Sequence, residues 1–221
     1  MNVAAVPALG SVETVLAYHA RTKHSLKRYA AGPETLDWDM QPNPFREFAG
    51  CARTELELGA NRLATSFTQA VAPGGIGAAA LTIESLAHLL ELSMGVSAWK
   101  EYGPDRWAVR CNPSSGNLHP TEAYVFASNV PGIDDGVYHY LSRDHLLELR
   151  CRSDNHSQTP ARLWIGLSSV HWREAWKYGE RASAIASWTS ATRSVPCAMR
   201  LGRWDGASRW STMQKAPSSR P

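Results

Sequence analysis

Two short stretches of this 221-residue chain gather side chains able to hold an anion or a polar ligand. Arg21-Thr22-Lys23-His24 sets two cations beside a hydroxyl and an imidazole, suited to a phosphate dianion through charge-assisted hydrogen bonds. The same four residues also read as the solvated basic end of a helix, favoured there by the macrodipole. The second stretch runs Arg110-Cys111-Asn112-Pro113-Ser114-Ser115-Gly116-Asn117-Leu118-His119. Pro113 fixes one backbone angle and Gly116 permits close approach, so backbone N–H groups and the side chains of Ser114, Ser115 and Asn117 can converge on a bound group. By itself, Pro-Ser-Ser-Gly is equally a turn.

Other chemistries fit less well. Gly74-Gly75-Ile76-Gly77 precedes a helix, but it is not a full G-x-G-x-x-G and no clean strand leads into it. A flexible loop is the expectation there; the rival, an NAD-dependent Rossmann enzyme, would require a parallel sheet. His139 and His145 flank a turn without a third ligand at fixed spacing, so no metal site is expected. Ser114 is not in a G-x-S-x-G elbow, which argues against a hydrolase nucleophile. Cys51, Cys111, Cys151 and Cys197 stand far apart and suggest neither a disulfide framework nor zinc.

The elements that must position these residues follow from caps and periodicity. Ser11 caps a first helix with Val12, Val15, Leu16 and His19 at helical spacing, running into Arg21 to His24. Residues 33–50 hold three prolines between aromatic anchors and read as an ordered loop. Residues 54–70 are ambiguous, with helix as one reading. Thr82 caps a helix whose Ile83, Leu86, Leu89, Leu90 and Met94 share one side and which stops at Gly95. Glu122 to Ser128, Gly136 to Tyr140, Leu146 to Leu149 and Leu163 to Val170 are β-rich, the middle two forming a hairpin around Ser142-Arg143-Asp144. His171 to Ala182 is helical. Helices mixed with an antiparallel hairpin predict an α+β sheet covered by helices.

Composition narrows the class. A hydrophobic share of 43% suits a globular chain. MNVAAVPALG lacks a basic n-region and reads as a loose leader, and no apolar run reaches membrane-spanning length. The net charge of +3 resides in the tail: residues 183–221 hold six basic residues and one acidic, the rest 17 and 19. The body therefore offers no basic face for nucleic acid. A cytoplasmic protein with neither a nucleic-acid nor a membrane partner is expected.

Residues Arg110 to Tyr124 resemble the Pro-Ser-rich flavin loop of the nitroreductase superfamily, P-S-x-x-N/A-x-x-P followed by an aromatic-rich strand. YHARTKHSLKRYA, GVYHYLSRDHLLELR and HWREAWKYGERA, in that order, are similar to the SagB-type dehydrogenase branch, so the likeness covers roughly residues 15–182. It implies an α+β, nitroreductase-like fold with a central antiparallel sheet, and an FMN-dependent oxidoreductase that works as a homodimer. A small-molecule or modified-peptide substrate would react by a ping-pong cycle. FMN would be held by Arg21, Thr22, Lys23, His24, Pro113, Ser114, Ser115 and Asn117, with His119 and Glu122 less secure and Tyr178 and Arg181 packing only. The alternative is a non-enzymatic, degenerate remnant or interaction module.

The likeness stops at Ala182. Relatives continue with something like FRYCQxDxGHAxGAxRYAAxxLGW, whereas residues 183–221 carry eight serines and only Ile185, Val195 and Leu201 as branched aliphatics. Back-translated and read one nucleotide earlier, Ser183 to Trp210 admits a codon choice giving FRYCQLDVGHAIGAMRYAAGTVGWRVEV. The invariant codons of Trp188, Met199, Trp204 and Trp210 all comply. The expectation is therefore an incomplete nitroreductase-like domain over 1–182 and an irregular, out-of-frame or disordered tail over 183–221. At ~25 cal/mol per Å² a few hundred Å² of lost burial is several kcal/mol, enough to leave the chain poorly folded and weak in flavin binding.

Overall fold

The computed structural model describes residues 11–72, 77, 79–153 and 160–190. Gly74 to Ile76 of the glycine run and residues 191–221 of the tail lie outside them. Helix α1 (Val12–Thr22) begins where Ser11 Oγ accepts the Thr14 N–H at 3.1 Å, with Glu13 in the first turn and Arg21 in the last. Its apolar positions Val12, Val15 and Leu16 are exposed, so helical spacing here does not mark a face against the core.

Strand β1 (Arg53–Glu55) and the short helix α2 (Phe67–Val71) occupy the ambiguous stretch, which is mostly irregular and not one helix. Helix α3 (Ile83–Met94) follows the sequence reading closely. Thr82 and Ser85 form a reciprocal capping box, and Leu86 and Leu90 are fully buried. Gly95 stops it by close approach: a Cβ there would lie 2.5 Å from the Glu91 carbonyl oxygen.

An antiparallel hairpin absent from the sequence reading comes next, β2 (Val96–Tyr102) and β3 (Asp105–Arg110). The main sheet comprises β1, β4 (Thr121–Ser128), β5 (Gly136–Leu141), β6 (Leu146–Arg152) and β7 (Arg162–Ser169) in the order β1-β6-β5-β4-β7. Every pairing is antiparallel, which excludes the Rossmann alternative for the described residues.

Alternation divides the sheet into two faces. Ala123, Val125, Ala127, Tyr138, Tyr140 and Leu147 pack with Leu86, Leu90 and Met94 of α3 as the apolar core. Burying each such leucine contributes about 1.5–3 kcal/mol. The opposite face sets Glu122, Tyr124, His139 and Glu148 in neighbouring registers, beneath the loop carrying Arg46 and Phe48 and helix α4 (His171–Tyr178).

After a short 3-10 turn, residues 182–190 continue as helix. The first eight residues of the expected irregular tail are thus ordered. Ala182, Ala186 and Thr189 are buried along one side, four and three residues apart. Small residues make this face, so it carries no hydrophobic signature. No helix among the described residues is long and apolar enough to cross a membrane.

Candidate functional site

The segment from Cys111 to Pro120 is a tight loop between β3 and β4, anchored at its start. The Cys111 N–H donates to the Gly95 carbonyl at 3.0 Å, and the Asn112 amide donates to the Ser93 carbonyl. Gly116, Asn117 and His119 all have positive φ, +64°, +59° and +47°, which curls the chain within four residues. Glycine adopts this freely and Asn tolerates it; for His119 it is a costlier state. The loop closes on itself: Ser114 Oγ accepts the His119 N–H at 2.9 Å, and Asn117 Oδ1 lies 2.7 Å from His119 Nε2.

Helix α4 lies against this loop. The hydroxyls of Ser115 and Tyr178 are 2.8 Å apart. A Cβ on Gly116 would come within 2.8 Å of Lys177 Cδ and Tyr178 OH, so those side-chain ends would have to shift, and the φ of +64° favours glycine in any case. The helix over 182–190 forms the other wall, tied down where Thr121 Oγ1 meets Ser190 Oγ at 3.2 Å and where the Ala184 N–H donates to Tyr18 OH at 3.1 Å. Between loop and helix lies a cleft of about 290 Å³ lined by Pro113, Ser114, Ser115, Ile185, Trp188 and Thr189. That volume lies at the lower end of small-molecule sites.

Three of the sequence-predicted residues, Pro113, Ser114 and Ser115, therefore line one cleft. Asn117 turns away, its amide donating to the Ala108 carbonyl at 3.1 Å. The four residues near position 21 are not part of the lining. Arg21 Nε donates to Glu180 Oε1 and Oε2 at 2.8 and 2.9 Å. Thr22 Oγ1 donates to the Tyr18 carbonyl of its own helix at 2.7 Å, His24 Nδ1 accepts the Ala30 N–H at 3.0 Å, and Lys23 is exposed. The loop and α1 nevertheless meet the same piece of chain, Ser115 through Tyr178 and Arg21 through Glu180. Tyr178, read from sequence as packing, and Lys177, given no role there, are the side chains against Gly116, while Arg181 is not among them. Ile185 and Trp188 escaped the sequence reading because they lie in the supposed tail.

Behind the loop the sheet buries a charged cluster. His139 Nδ1 is 3.1 Å from Glu148 Oε2 and its Nε2 3.7 Å from Glu122 Oε2. Arg173 pairs with Glu122 at 2.8 Å, Arg46 with Glu122 at 3.3 Å, and Arg53 with Glu148 at 3.2 Å. Burial holds the His139 pKa below its ordinary value although both carboxylates pull it up. Beside Arg173, Glu174 is fully buried and neither carboxyl oxygen has a hydrogen-bond partner among the described residues; burial pushes its pKa up to about 7.

No family model matches the chain. A curated protein of Methanocaldococcus jannaschii, provisionally named a nitroreductase, is 34% identical over 65 residues, 29% of this chain and 29% of that protein. The crystal structure of an Anabaena variabilis protein, likewise provisionally named a nitroreductase, matches with a TM-score of 0.65 at 26% identity over 84% of this chain and 38% of that one. The E. coli microcin synthetase McbBCD complex with truncated pro-MccB17 bound matches over 86% of this chain and 78% of that one. Its 16% identity and TM-score of 0.44 are too low to argue from. The chain thus spans under a third of the curated relative and under two-fifths of the Anabaena protein. Its fold is nitroreductase-like, α+β with an antiparallel sheet among helices.

Proposed function

We propose that this chain is part of an FMN-dependent oxidoreductase of the nitroreductase type, close to the SagB-type dehydrogenases. The observation that carries the reading is the loop side of the cleft, Pro113, Ser114 and Ser115, held against α4 by the contact of Ser115 with Tyr178. A flavin fits the chemistry of the loop side, a polar, glycine-containing turn; the far side, Ile185 and Trp188 in this chain, is the part that the frame proposed below would replace. When bound, FMN supplies the electron transfer. The chain's residues bind and orient it. Ser115 and the main-chain N–H groups of the loop are the donors offered to the ring edge and ribityl oxygens. Lys177, close against Gly116, is a cation within reach of the turn. Arg21, Thr22, Lys23 and His24 are the proposed phosphate ligands, and Arg21 must exchange Glu180 for the phosphate to serve.

The substrate proposed is a small molecule or a modified peptide, the working form a homodimer and the location the cytoplasm. The test is titration of the purified chain with FMN, followed by flavin fluorescence and absorbance. A Kd in the micromolar range or tighter supports the reading. No saturable binding by folded samples of this chain and of a form with the reading frame after Ala182 restored overturns it in favour of a non-enzymatic remnant, to which the exposed Val12, Val15 and Leu16 lend some weight.

We also propose that the section after Ala182 is out of frame and that the intact protein continues with the family-like sequence hidden beneath Ser183 to Trp210. Helicity through residue 190 does not oppose this, because Ala182, Ala184 and Ala186 of the present frame are good helix formers whatever the segment's origin. Resequencing the DNA around codon 182 decides the matter: an uninterrupted gene encoding the present tail defeats it.

A further inference from the structure

The loop beside the cleft is held to α4 at two points, and the rear one is a buried ion pair. Arg173 is 3% exposed; its Nη1 donates to the His119 carbonyl and its Nη2 to Glu122 Oε1, both at 2.8 Å. Five residues further along the helix, Tyr178 meets Ser115. At about 1.5 Å per residue the two anchors stand roughly 7.5 Å apart along the axis, one at each end of the curl from Ser115 to His119.

The rear anchor lies where the backbone is strained. His119 holds φ +47° while 1% exposed, a state that persists only when its surroundings over-determine it. Its N–H is taken by Ser114 Oγ and its carbonyl by Arg173. Glu122 neutralises the guanidinium and itself faces Arg46 and His139. A lysine could keep the charge pair but, as a point charge, could not span both acceptors as the planar fork does.

We propose that Arg173, with its counter-ion Glu122, is a positioning residue of the cleft. It holds the bend at His119 and thereby sets where Ser114 and Ser115 stand against α4. Arg173 does not line the cleft; it acts through the loop. The proposal rests on reading the cleft as the flavin site.

The experiment combines amide hydrogen exchange with FMN titration on the full chain and its Arg173→Lys, Arg173→Met and Glu122→Gln variants. For Arg173→Lys, exchange across residues 111–120 should accelerate about tenfold while β5 and β6 keep wild-type protection, a local opening. The Kd for FMN should weaken about tenfold. Glu122→Gln keeps an acceptor for Nη2 and should give a smaller loop effect. Unchanged loop exchange in Arg173→Lys overturns the proposal, as does acceleration spread evenly through the sheet, which would mark Arg173 as an ordinary stabilising residue. If Arg173→Met does not fold, the lysine variant decides. If the wild-type chain takes up no FMN, the exchange pattern still tests the clamp, and that failure belongs to the flavin reading alone.

Discussion

Arg21 grips both carboxylate oxygens of Glu180, joining the end of α1 to the turn after α4. Both side chains are about half exposed, so solvent screens the pair and its worth to folding is small. Its meaning lies in what it withholds. A cation proposed for a phosphate is already neutralised, and the partner sits two residues from the tyrosine that touches the loop.

Glu180→Ala should therefore release Arg21. The expected outcome is several-fold tighter FMN binding at low ionic strength, with the gain fading as salt is added. Fluorescence titrations at two salt concentrations check it. Equal affinities for variant and wild type would remove Arg21 from the phosphate site.

Gly116→Ala should damage the cleft. The new methyl meets Tyr178 OH and Lys177 at 2.8 Å, and alanine must hold φ +64°. The combined cost is about 1–2 kcal/mol, with loss of the Ser115–Tyr178 contact. Chemical denaturation and FMN titration together read it; a variant as stable and as flavin-competent as wild type would contradict the geometry.

Glu174→Gln should stabilise the protein in alkaline solution. The folded-state pKa is raised from 4.5 to about 7, so the protonated form is the one the fold favours. Stability is fully present below pH 4.5 and declines as pH rises to about 7, by at most ~3 kcal/mol. The amide variant lacks this decline. Melting temperatures at pH 5 and pH 8 should diverge for wild type more than for the variant.

His139 works in the other direction. Its folded pKa is depressed by burial, so stability is present above its unfolded value of 6.5 and falls as pH drops through that value towards the folded one. His139→Asn should flatten this acid limb. Denaturation midpoints between pH 7 and pH 5 test it, and an unchanged slope would mean that the charged cluster absorbs the proton elsewhere.

Leu90→Ala probes the core under α3. The side chain is fully buried against the sheet, and its truncation should cost about 2–5 kcal/mol. Urea unfolding measures it.

Much of the scaffold was legible because local chemistry writes it directly. Ser11 and Thr82 announce helix starts through their hydroxyls, and the β-rich runs on either side of Ser142-Arg143-Asp144 announce the β5–β6 hairpin. The hairpin of β2 and β3 was not, since most of its residues are exposed on both faces and no apolar alternation forms.

By itself the sequence determined the composition of the candidate loop and the α+β class. Cap, turn and glycine preferences act over a few residues, so they can be read from a few residues. Only the tertiary structure decided that Pro113, Ser114 and Ser115 face Ile185 and Trp188, that Arg21 is committed to Glu180, and that Arg173 reaches across to His119. Those pairings span about 50 to 160 positions of chain. They depend on which face of α4 and of the following helix turns inward. The spacing of Trp172, Ala175, Trp176 and Gly179 suggests one face, but α4 exposes Trp172 and buries Arg173 and Glu174, and the next helix buries Ala182, Ala186 and Thr189, so hydrophobic period does not mark the inward side.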